Sequence, residues 1–175
     1  MIASQLPAIV DEMLDAPRWL LWRYEGRNGK QSKVPYQTSG YRASSINPTH
    51  WTTFENAAKA FDSGEFSGIG FSLSGAGMVG IDLDDCIVNG SILAWAQEII
   101  DNVPGYAEIS PSGRGVKIFT HGTWSHTCRA GAPDGGHIEV YSRGRYFCVT
   151  GKAIQAGRHA TSDGLDWLCG KYFAS

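Results

Sequence analysis

One stretch of the sequence reads Val79-Gly80-Ile81-Asp82-Leu83-Asp84-Asp85-Cys86. In it, an apolar run ends in two carboxylates that are two residues apart. Such a run is typical of a buried strand. Side chains alternate between the faces of a strand, so Asp82 and Asp84 project to one side, about 7 Å apart at their Cα atoms, while Leu83 points into the core. Neighbouring carboxylates repel, and a divalent cation offsets their charge. The stretch therefore predicts a buried strand and a candidate site for Mg²⁺ or Mn²⁺.

The composition is that of an ordinary globular protein. The 175 residues are 42% hydrophobic and 18% charged, with a formal charge of −2, which predicts a single domain over residues 1–175 with its own core. No apolar run is long enough to cross a bilayer, so no membrane partner is expected. The four cysteines are widely spaced without a CxxC pair, which favours reduced thiols and a cytoplasmic location.

Hydrophobic periodicity predicts helices and strands in mixed order along the chain. Predicted helices cover residues 6–14, the segment capped by Thr53, the segment from Leu93 to Ile100, and residues 163–172. Predicted strands cover residues 18–24, 33–37, 68–73, 78–83, 106–109, 116–120, 138–141 and 146–150. The glycine-rich residues 74–77 are expected to join two of these strands as a hairpin. This order predicts an α+β fold with a largely antiparallel sheet flanked by helices.

A basic stretch with interleaved aromatic residues lies near the start of the chain. Residues 18–42 hold six basic residues against one acidic residue, Glu25. Trp22, Tyr24 and Tyr36 are among the aromatic side chains between these cations. The pattern fits either a solvated face or a groove for single-stranded nucleic acid, where rings stack on bases beside phosphate-binding cations.

A glycine-rich segment, Ser110-Pro111-Ser112-Gly113-Arg114-Gly115-Val116-Lys117, separates two predicted strands. Its glycines permit either a tight turn or a nest of backbone N–H groups that binds phosphate oxygens. Lys117 alternates with apolar neighbours, so its charged side chain must be exposed or paired.

A third acidic residue stands on a strand further along the chain. Glu139 lies between Ile138 and Val140 and faces opposite to them, which is compatible with a solvated strand face or with a carboxylate delivered to a site shared with another strand. Together with the aspartates and the glycine-rich segment, it suggests metal ligands beside a triphosphate seat, as phosphoryl or nucleotidyl transfer requires.

In these motifs the sequence resembles the catalytic domain of the archaeo-eukaryotic primase superfamily, in its phage and plasmid primase-polymerase (Prim-Pol) branch. The resemblance covers nearly the whole chain and rests on motifs in a shared order. These are Trp19-Leu20-Leu21-Trp22, residues 33–36, Ala43-Ser44-Ser45 with Trp51, Asp82-Leu83-Asp84, Ser110 to Lys117, and Glu139 with residues 146–151 behind it.

The resemblance implies an RRM-like catalytic core and a template-directed DNA primase or polymerase of phage or mobile-element replication. It implies that Asp82, Asp84 and Glu139 hold two Mg²⁺ or Mn²⁺ ions. The implied triphosphate seat comprises Ser110, Ser112, Gly113, Gly115, Lys117 and Arg145, with Tyr141 or Tyr146 near the sugar. Lys33 and Arg42 are expected to contact phosphates or template. The implied partners are single-stranded DNA, nucleoside triphosphates, and a helicase or accessory primase domain in a longer chain or a separate protein.

One departure leaves other functions open. The family's second motif usually ends in a histidine, where this chain has Lys117; lysine keeps the positive charge but does not titrate near neutrality. A domain that binds nucleotide or single-stranded DNA without turnover is therefore an alternative. A metal-dependent nuclease is less expected, because neither Glu108 nor Glu139 is followed two residues later by lysine.

Zinc is not expected. The possible ligands between the second and third motifs have a spacing that matches no recognised zinc finger. They are His121, His126, Cys128 and His137.

Overall fold

A computed structural model describes residues 8–27, 29–126, 128–156 and 163–173 of the chain. Within these residues the α-helices are α1 (Ala8–Asp15), α2 (Phe54–Asp62), α3 (Ala94–Asn102) and α4 (Asp163–Leu168). The strands of the described residues are β1 (Trp19–Arg27), β2 (Lys30–Tyr36), β3 (Gly68–Ser72), β4 (Met78–Asp84), β5 (Ile87–Val88), β6 (Ser91–Ile92), β7 (Tyr106–Ile109), β8 (Val116–His121), β9 (Arg129–Gly131), β10 (His137–Tyr141), β11 (Tyr146–Val149) and β12 (Ala153–Ala156). The predicted α+β class is confirmed.

The strands form two larger antiparallel sheets and a small hairpin. A four-stranded sheet has the order β11-β3-β1-β2, and a six-stranded sheet has the order β12-β7-β8-β4-β10-β9. Among the described residues, the short strands β5 and β6 pair with each other as a two-stranded sheet. β4 lies inside the six-stranded sheet, between β8 and β10, which agrees with the predicted burial of its apolar run.

The predicted hairpin between β3 and β4 is wrong, because the two strands belong to different sheets. β3 is buried along its whole length and lies between β1 and β11. Its Gly70 leaves room for the Tyr146 ring of β11, which would lie 2.6 Å from a Cβ at that position. Residues 74–77 consequently cross from one sheet to the other, and glycine content alone could not distinguish this crossing from a tight hairpin turn.

Most other predicted elements are confirmed with small shifts of their ends. Thr53 caps α2, accepting a hydrogen bond at its side chain from the Asn56 N–H. The first predicted helix begins outside the described residues, which start at Ala8. The last one leaves the α-helical form after Leu168 and continues as a π-helical turn, Cys169–Phe173. Strands β5, β6 and β9 were not predicted, since each has only two or three residues, and β12 was not predicted either.

Helices α3 and α4 cover one face of the six-stranded sheet, while α2 packs on β1 and β3 of the four-stranded sheet. From β4 this face receives Val79, Ile81 and Leu83, all fully buried against α3 residues such as Ile99. In the helices of the described residues, no segment is long and apolar enough to cross a membrane.

The opposite face packs against the four-stranded sheet along an aromatic row. Strand register places Tyr106 beside Phe119, Phe119 beside Gly80, and Gly80 beside Tyr141. Gly80 has no side chain, and a Cβ there would lie 2.6 Å from the Phe147 ring of the other sheet. This close approach joins the two sheets and leaves the next row of the same face beside a cleft.

Candidate active site

A row of charged side chains crosses the six-stranded sheet next to the aromatic row. Strand register pairs Glu108 with Lys117, Lys117 with Asp82, Asp82 with Glu139, and Glu139 with Arg129. Directly opposed residues of antiparallel strands project to the same face of a sheet. These five residues form the charged row, and the prediction that Asp82 and Glu139 share a face agrees with this register.

Lys117 is buried and forms an ion pair with Asp82. Its Nζ lies 2.5 Å from Asp82 Oδ2 and 4.7 Å from the centre of the Phe147 ring, and its side chain is 6% exposed. The other oxygen of that carboxylate, Oδ1, is buried and has no hydrogen-bond partner among the described residues. A buried carboxylate oxygen without a donor carries a desolvation cost, so this atom is free to accept a ligand.

Glu139 is held by a second cation and a phenol. Arg129 Nε lies 2.8 Å from Glu139 Oε1, and the Tyr141 hydroxyl donates to Oε2 at 3.0 Å. The Arg145 guanidinium in turn lies over the Tyr141 ring, 4.9 Å from its centre. The two neighbouring acids Asp82 and Glu139 are thus flanked by Lys117 on one side and Arg129 on the other. Arg145 adds a further positive charge behind Tyr141.

Asp84 follows on the same face of β4, opposite His137 of β10. Asp84 is exposed to solvent but partly desolvated by the protein around it, and this partial burial raises the pKa of its carboxyl above the ordinary value. The negative charge of Asp82 raises that pKa further, while the positive charge of Lys117 lowers it. Glu139 acts in the same direction as Asp82. The three predicted acids therefore interact electrostatically.

The charged row opens into a cleft of about 450 Å³. The predicted site residues that line this cleft are Lys33, Asp82, Lys117, Glu139, Tyr141, Arg145 and Tyr146. Tyr146 reaches across the four-stranded sheet, and its hydroxyl donates to the Lys33 carbonyl at 2.7 Å. The cleft thus brings together residues from both sheets, some of which are more than a hundred positions apart in the sequence.

The glycine-rich segment forms a tight turn beside this cleft. The Ser110 N–H donates to the Gly115 carbonyl at 2.8 Å, the Gly113 N–H donates to the Ser110 carbonyl at 2.9 Å, and Gly113 has a φ of +74°. The hydroxyls of Ser110 and Ser112 are hydrogen-bonded at 3.0 Å. A Cβ on Gly115 would lie 2.7 Å from the Leu83 carbonyl oxygen, so the turn packs on the end of β4. These four residues do not line the cleft and stand next to Asp84 instead.

Arg42 also lies away from the cleft. Its guanidinium is 2.5 Å from Glu25 Oε2, and the Tyr36 hydroxyl donates to the other oxygen of that carboxylate. The Arg42 side chain is nevertheless 71% exposed. Its charge is available to a partner at the surface of the β1–β2 hairpin rather than inside the cleft.

Carboxylate oxygens are the ligands that Mg²⁺ and Mn²⁺ prefer, and the partnerless Asp82 Oδ1 is one such donor. Within the described residues, no three His, Cys, Asp or Glu side chains are grouped as a ready metal site. Lys117 contacts Asp82 Oδ2, while Arg129 and the Tyr141 hydroxyl contact the two oxygens of Glu139. The donor set fits a divalent cation, provided that these basic side chains yield part of their contacts.

The zinc candidates are scattered. His121 Nε2 lies 2.6 Å from Glu12 Oε2, and the His126 ring packs 5.1 Å from the Trp124 ring. Cys128 is exposed, and His137 stands beside Asp84.

Sequence reasoning missed two members of the charged row. Arg129 lies on a three-residue strand without alternating apolar residues, so no periodicity pointed to it. Glu108 alternates with buried neighbours as Glu139 does, and this signal could have found it. Its fully buried carboxylate accepts from the Tyr106 hydroxyl at 2.8 Å and from the N–H groups of Thr150 and Gly151 at 2.9 and 3.0 Å.

Acids and bases that share one sheet face beside a cleft are typical of enzymes that act on phosphate groups with divalent cations. No protein-family model matches the chain. The chain is similar to a curated relative, the DNA primase-polymerase of Nitratiruptor phage NrS-1, at 30% identity over 143 residues. The similarity covers 78% of this chain and 19% of the relative, so the chain spans about a fifth of the relative's length. It supports a relationship between this chain and the primase-polymerases.

Proposed function

We propose that the chain is a template-directed nucleotidyl transferase of phage or mobile-element replication, acting in the host cytoplasm. It would transfer a nucleotide from a nucleoside triphosphate to the 3′-hydroxyl of a strand paired with a single-stranded DNA template. The hydroxyl oxygen would bond to the α-phosphorus as the bond to the β-phosphate breaks, and pyrophosphate would leave. The observation that carries this proposal is the register of the charged row, which sets Asp82 directly beside Glu139 in a cleft that also holds Lys33, Lys117 and Arg145. Similarity to a phage protein named DNA primase-polymerase supports it.

Asp82, Asp84 and Glu139 would hold two divalent cations. When bound, such cations lower the pKa of the attacking hydroxyl and offset the charge of the phosphates. Asp82 would contribute its free Oδ1, and Glu139 is oriented by the hydrogen bond from Tyr141.

The basic residues of the cleft would receive the triphosphate. Arg145 is positioned by its stacking on Tyr141 and offers a planar set of donors that suits phosphate oxygens. Lys33 lies on the opposite wall, where the hydroxyl of Tyr146 fixes its backbone. Lys117 lies deepest in the cleft, so its first role is to offset the charge of Asp82, and it would reach a phosphate when that carboxylate turns to a cation.

The turn at residues 110–115 would contact the outer phosphates through the hydroxyls of Ser110 and Ser112. Its backbone N–H groups at Ser110 and Gly113 are already used within the turn. The hydroxyls therefore carry this contact better than a nest of amides does.

A second candidate function is nucleotide or DNA binding without turnover. The Lys117–Asp82 ion pair favours it, because an ammonium group 2.5 Å from a carboxylate oxygen competes with a metal ion for that oxygen. A partner that supplies a helicase or accessory primase domain fits either function, given that the relative is much longer than this chain.

The test is incubation with single-stranded template, labelled nucleotides and Mg²⁺ or Mn²⁺. We expect a product with the wild-type protein and none with Asp82→Asn or Glu139→Gln. Asp85→Asn is the matched control, since Asp85 directly follows Asp84 but pairs with Arg114 outside the charged row. Its φ of +53° is one that asparagine adopts readily.

Each outcome separates the alternatives. Binding of template and nucleotide without product supports the second function. Degradation of DNA in the absence of nucleotides, lost in Asp82→Asn, would indicate a nuclease. Product that persists in both Asp82→Asn and Glu139→Gln would contradict the proposed site.

A further inference from the structure

A second cleft, of about 250 Å³, lies on the other side of the glycine-rich turn. Its lining includes Trp22, Tyr24, Phe61, Pro111, Thr150 and Lys152. None of the predicted catalytic or nucleotide-binding residues belongs to it. We term it the aromatic cleft.

The aromatic wall of this cleft is held in place by the backbone beneath it. The Trp22 indole N–H donates to the Ile69 carbonyl at 3.0 Å, and its ring lies so close to Gly68 that a Cβ there would be 2.7 Å away. Tyr24 packs edge-on against Trp22, with ring centres 5.0 Å apart and planes at 86°. Trp22 is 4% exposed and Tyr24 is 46% exposed. The result is a pair of packed rings in which Trp22 is buried and the Tyr24 ring is partly exposed to a ligand.

The aromatic cleft is physically linked to the charged row. Pro111 belongs to the turn that packs on the end of β4 through Gly115. Thr150 donates its N–H to Glu108, the member of the charged row that stands beside Lys117. A strand that leaves the candidate active site past this turn would therefore reach the aromatic cleft.

The chemistry of the lining selects a planar ligand with an attached negative charge. Stacking of a ring on Tyr24 is insensitive to base identity. Lys152 is exposed at the rim, and no carboxylate among the described residues forms a salt bridge with it. The Thr150 hydroxyl already donates to the Ile109 carbonyl at 2.7 Å and supplies little base readout.

We propose that the aromatic cleft binds one unpaired base of a single-stranded DNA, stacked on Tyr24, with a flanking phosphate at Lys152. The inference deepens the proposed function, because it gives the template strand an anchor outside the charged row. It also predicts that this anchor has no sequence preference.

The first test is the affinity for a fluorescent oligothymidine of about twelve nucleotides, followed by anisotropy. Tyr24→Ala should weaken binding by about 5- to 30-fold, which corresponds to the loss of one stacked base. Tyr24→Phe keeps the ring and should bind as the wild type does. Tyr41→Ala is the matched control, since Tyr41 is 75% exposed on the same stretch of chain but lines neither cleft.

Lys152→Ala should cause a smaller loss, and it should reduce the slope of affinity against salt concentration, because one phosphate contact is removed. Ultraviolet crosslinking of an oligomer that carries 5-iodouracil should label Tyr24 or Trp22. Wild-type affinity in Tyr24→Ala, a loss equal to that of Tyr41→Ala, or crosslinks confined to other regions would overturn the proposal.

These results are separable from the fate of the proposed function. Tyr24-dependent oligomer binding in a protein that forms no product would support the aromatic cleft and contradict the transferase. Product formation with no dependence on Tyr24 at limiting template would overturn the aromatic cleft alone.

Discussion

The two faces of the six-stranded sheet differ in chemistry, although they are made from alternate residues of the same strands. One face is apolar and covered by helices, and the other carries the charged row. On β4, Ile81 and Leu83 face the helices and are fully buried, whereas Asp82 and Asp84 face the other way. The helix-covered face gains stability from apolar burial. The charged face holds acids and bases whose desolvation costs free energy that only a ligand or a close partner can offset.

The charged face is also divided along the strands. At its aromatic row the two sheets pack together over Gly80. Two residues further along β4, at Asp82, the charged row lies beside the cleft. The packing of the first row fixes the backbone that positions the second. Stability and chemistry therefore separate residue by residue, and substitutions can test this separation.

The largest effect should come from Asp82→Asn. The substitution keeps the size of the side chain and removes the charge that is proposed to bind the cations, so nucleotide transfer should fall by at least about 100-fold. A primer-extension assay measures this loss. Transfer within a few-fold of wild type would break the assignment of the charged face to chemistry.

Leu83→Ala should mainly affect stability. It removes a fully buried side chain from the helix-covered face, and the expected cost is about 2–5 kcal/mol in the free energy of unfolding. Urea denaturation measures this change. A cost under 1 kcal/mol would mean that the helices do not pack on this face as described.

Lys117→Met should destabilise the protein by about 3 kcal/mol, since it leaves the Asp82 carboxylate buried without its partner. Added Mn²⁺ should then raise the melting temperature of this variant more than that of the wild type, because the ammonium group no longer competes for Oδ2. The double variant Lys117→Met, Asp82→Asn should recover stability and lose the response to Mn²⁺. An equal response in all three proteins would show that Lys117 and the cation do not share this carboxylate.

Alkylation of two buried cysteines, Cys86 and Cys148, can probe the two faces separately. Burial raises the pKa of Cys86, on the helix-covered side, and of Cys148, in the cleft, to about 11 each. Because the thiolate is the reactive form, their alkylation rates should still be rising at pH 10. Bound nucleotide should slow Cys148 and leave Cys86 unchanged, as mass spectrometry of alkylated peptides can show. If nucleotide slowed the alkylation of Cys86 alone, the ligand would bind on the helix-covered side, contrary to this prediction.

Asp84→Asn should have the smallest effect on stability, within about 0.5 kcal/mol, because Asp84 is exposed and its neighbours include the like charge of Asp82. Removing that repulsion can even stabilise the fold slightly. Urea denaturation beside Leu83→Ala makes a direct comparison of adjacent residues on one strand. A loss above about 2 kcal/mol in the free energy of unfolding would show that the charged face also contributes strongly to stability.

The sequence alone predicted the elements with strong periodicity, and seven of the residues that it singled out for the site line the cleft. Alternation along β4 and β10 predicted that Asp82 and Glu139 face away from their apolar neighbours. In the structure the two residues lie directly opposite each other on adjacent strands, as the hypothesis of a shared site requires. The link between β3 and β4 could not be predicted, because local glycine content does not encode which sheet a strand joins. Arg129 was missed since it lies on a strand of three residues, and the position of the glycine-rich turn outside the cleft depends on its packing against Leu83.

The most direct test of the account is Mn²⁺ binding, followed by the loss of the free-ion signal in electron paramagnetic resonance. The account predicts that the wild type and Asp85→Asn bind Mn²⁺ alike, while Asp82→Asn and Glu139→Gln each lose most of that binding. Unchanged Mn²⁺ affinity in both Asp82→Asn and Glu139→Gln, with folding intact, would contradict it.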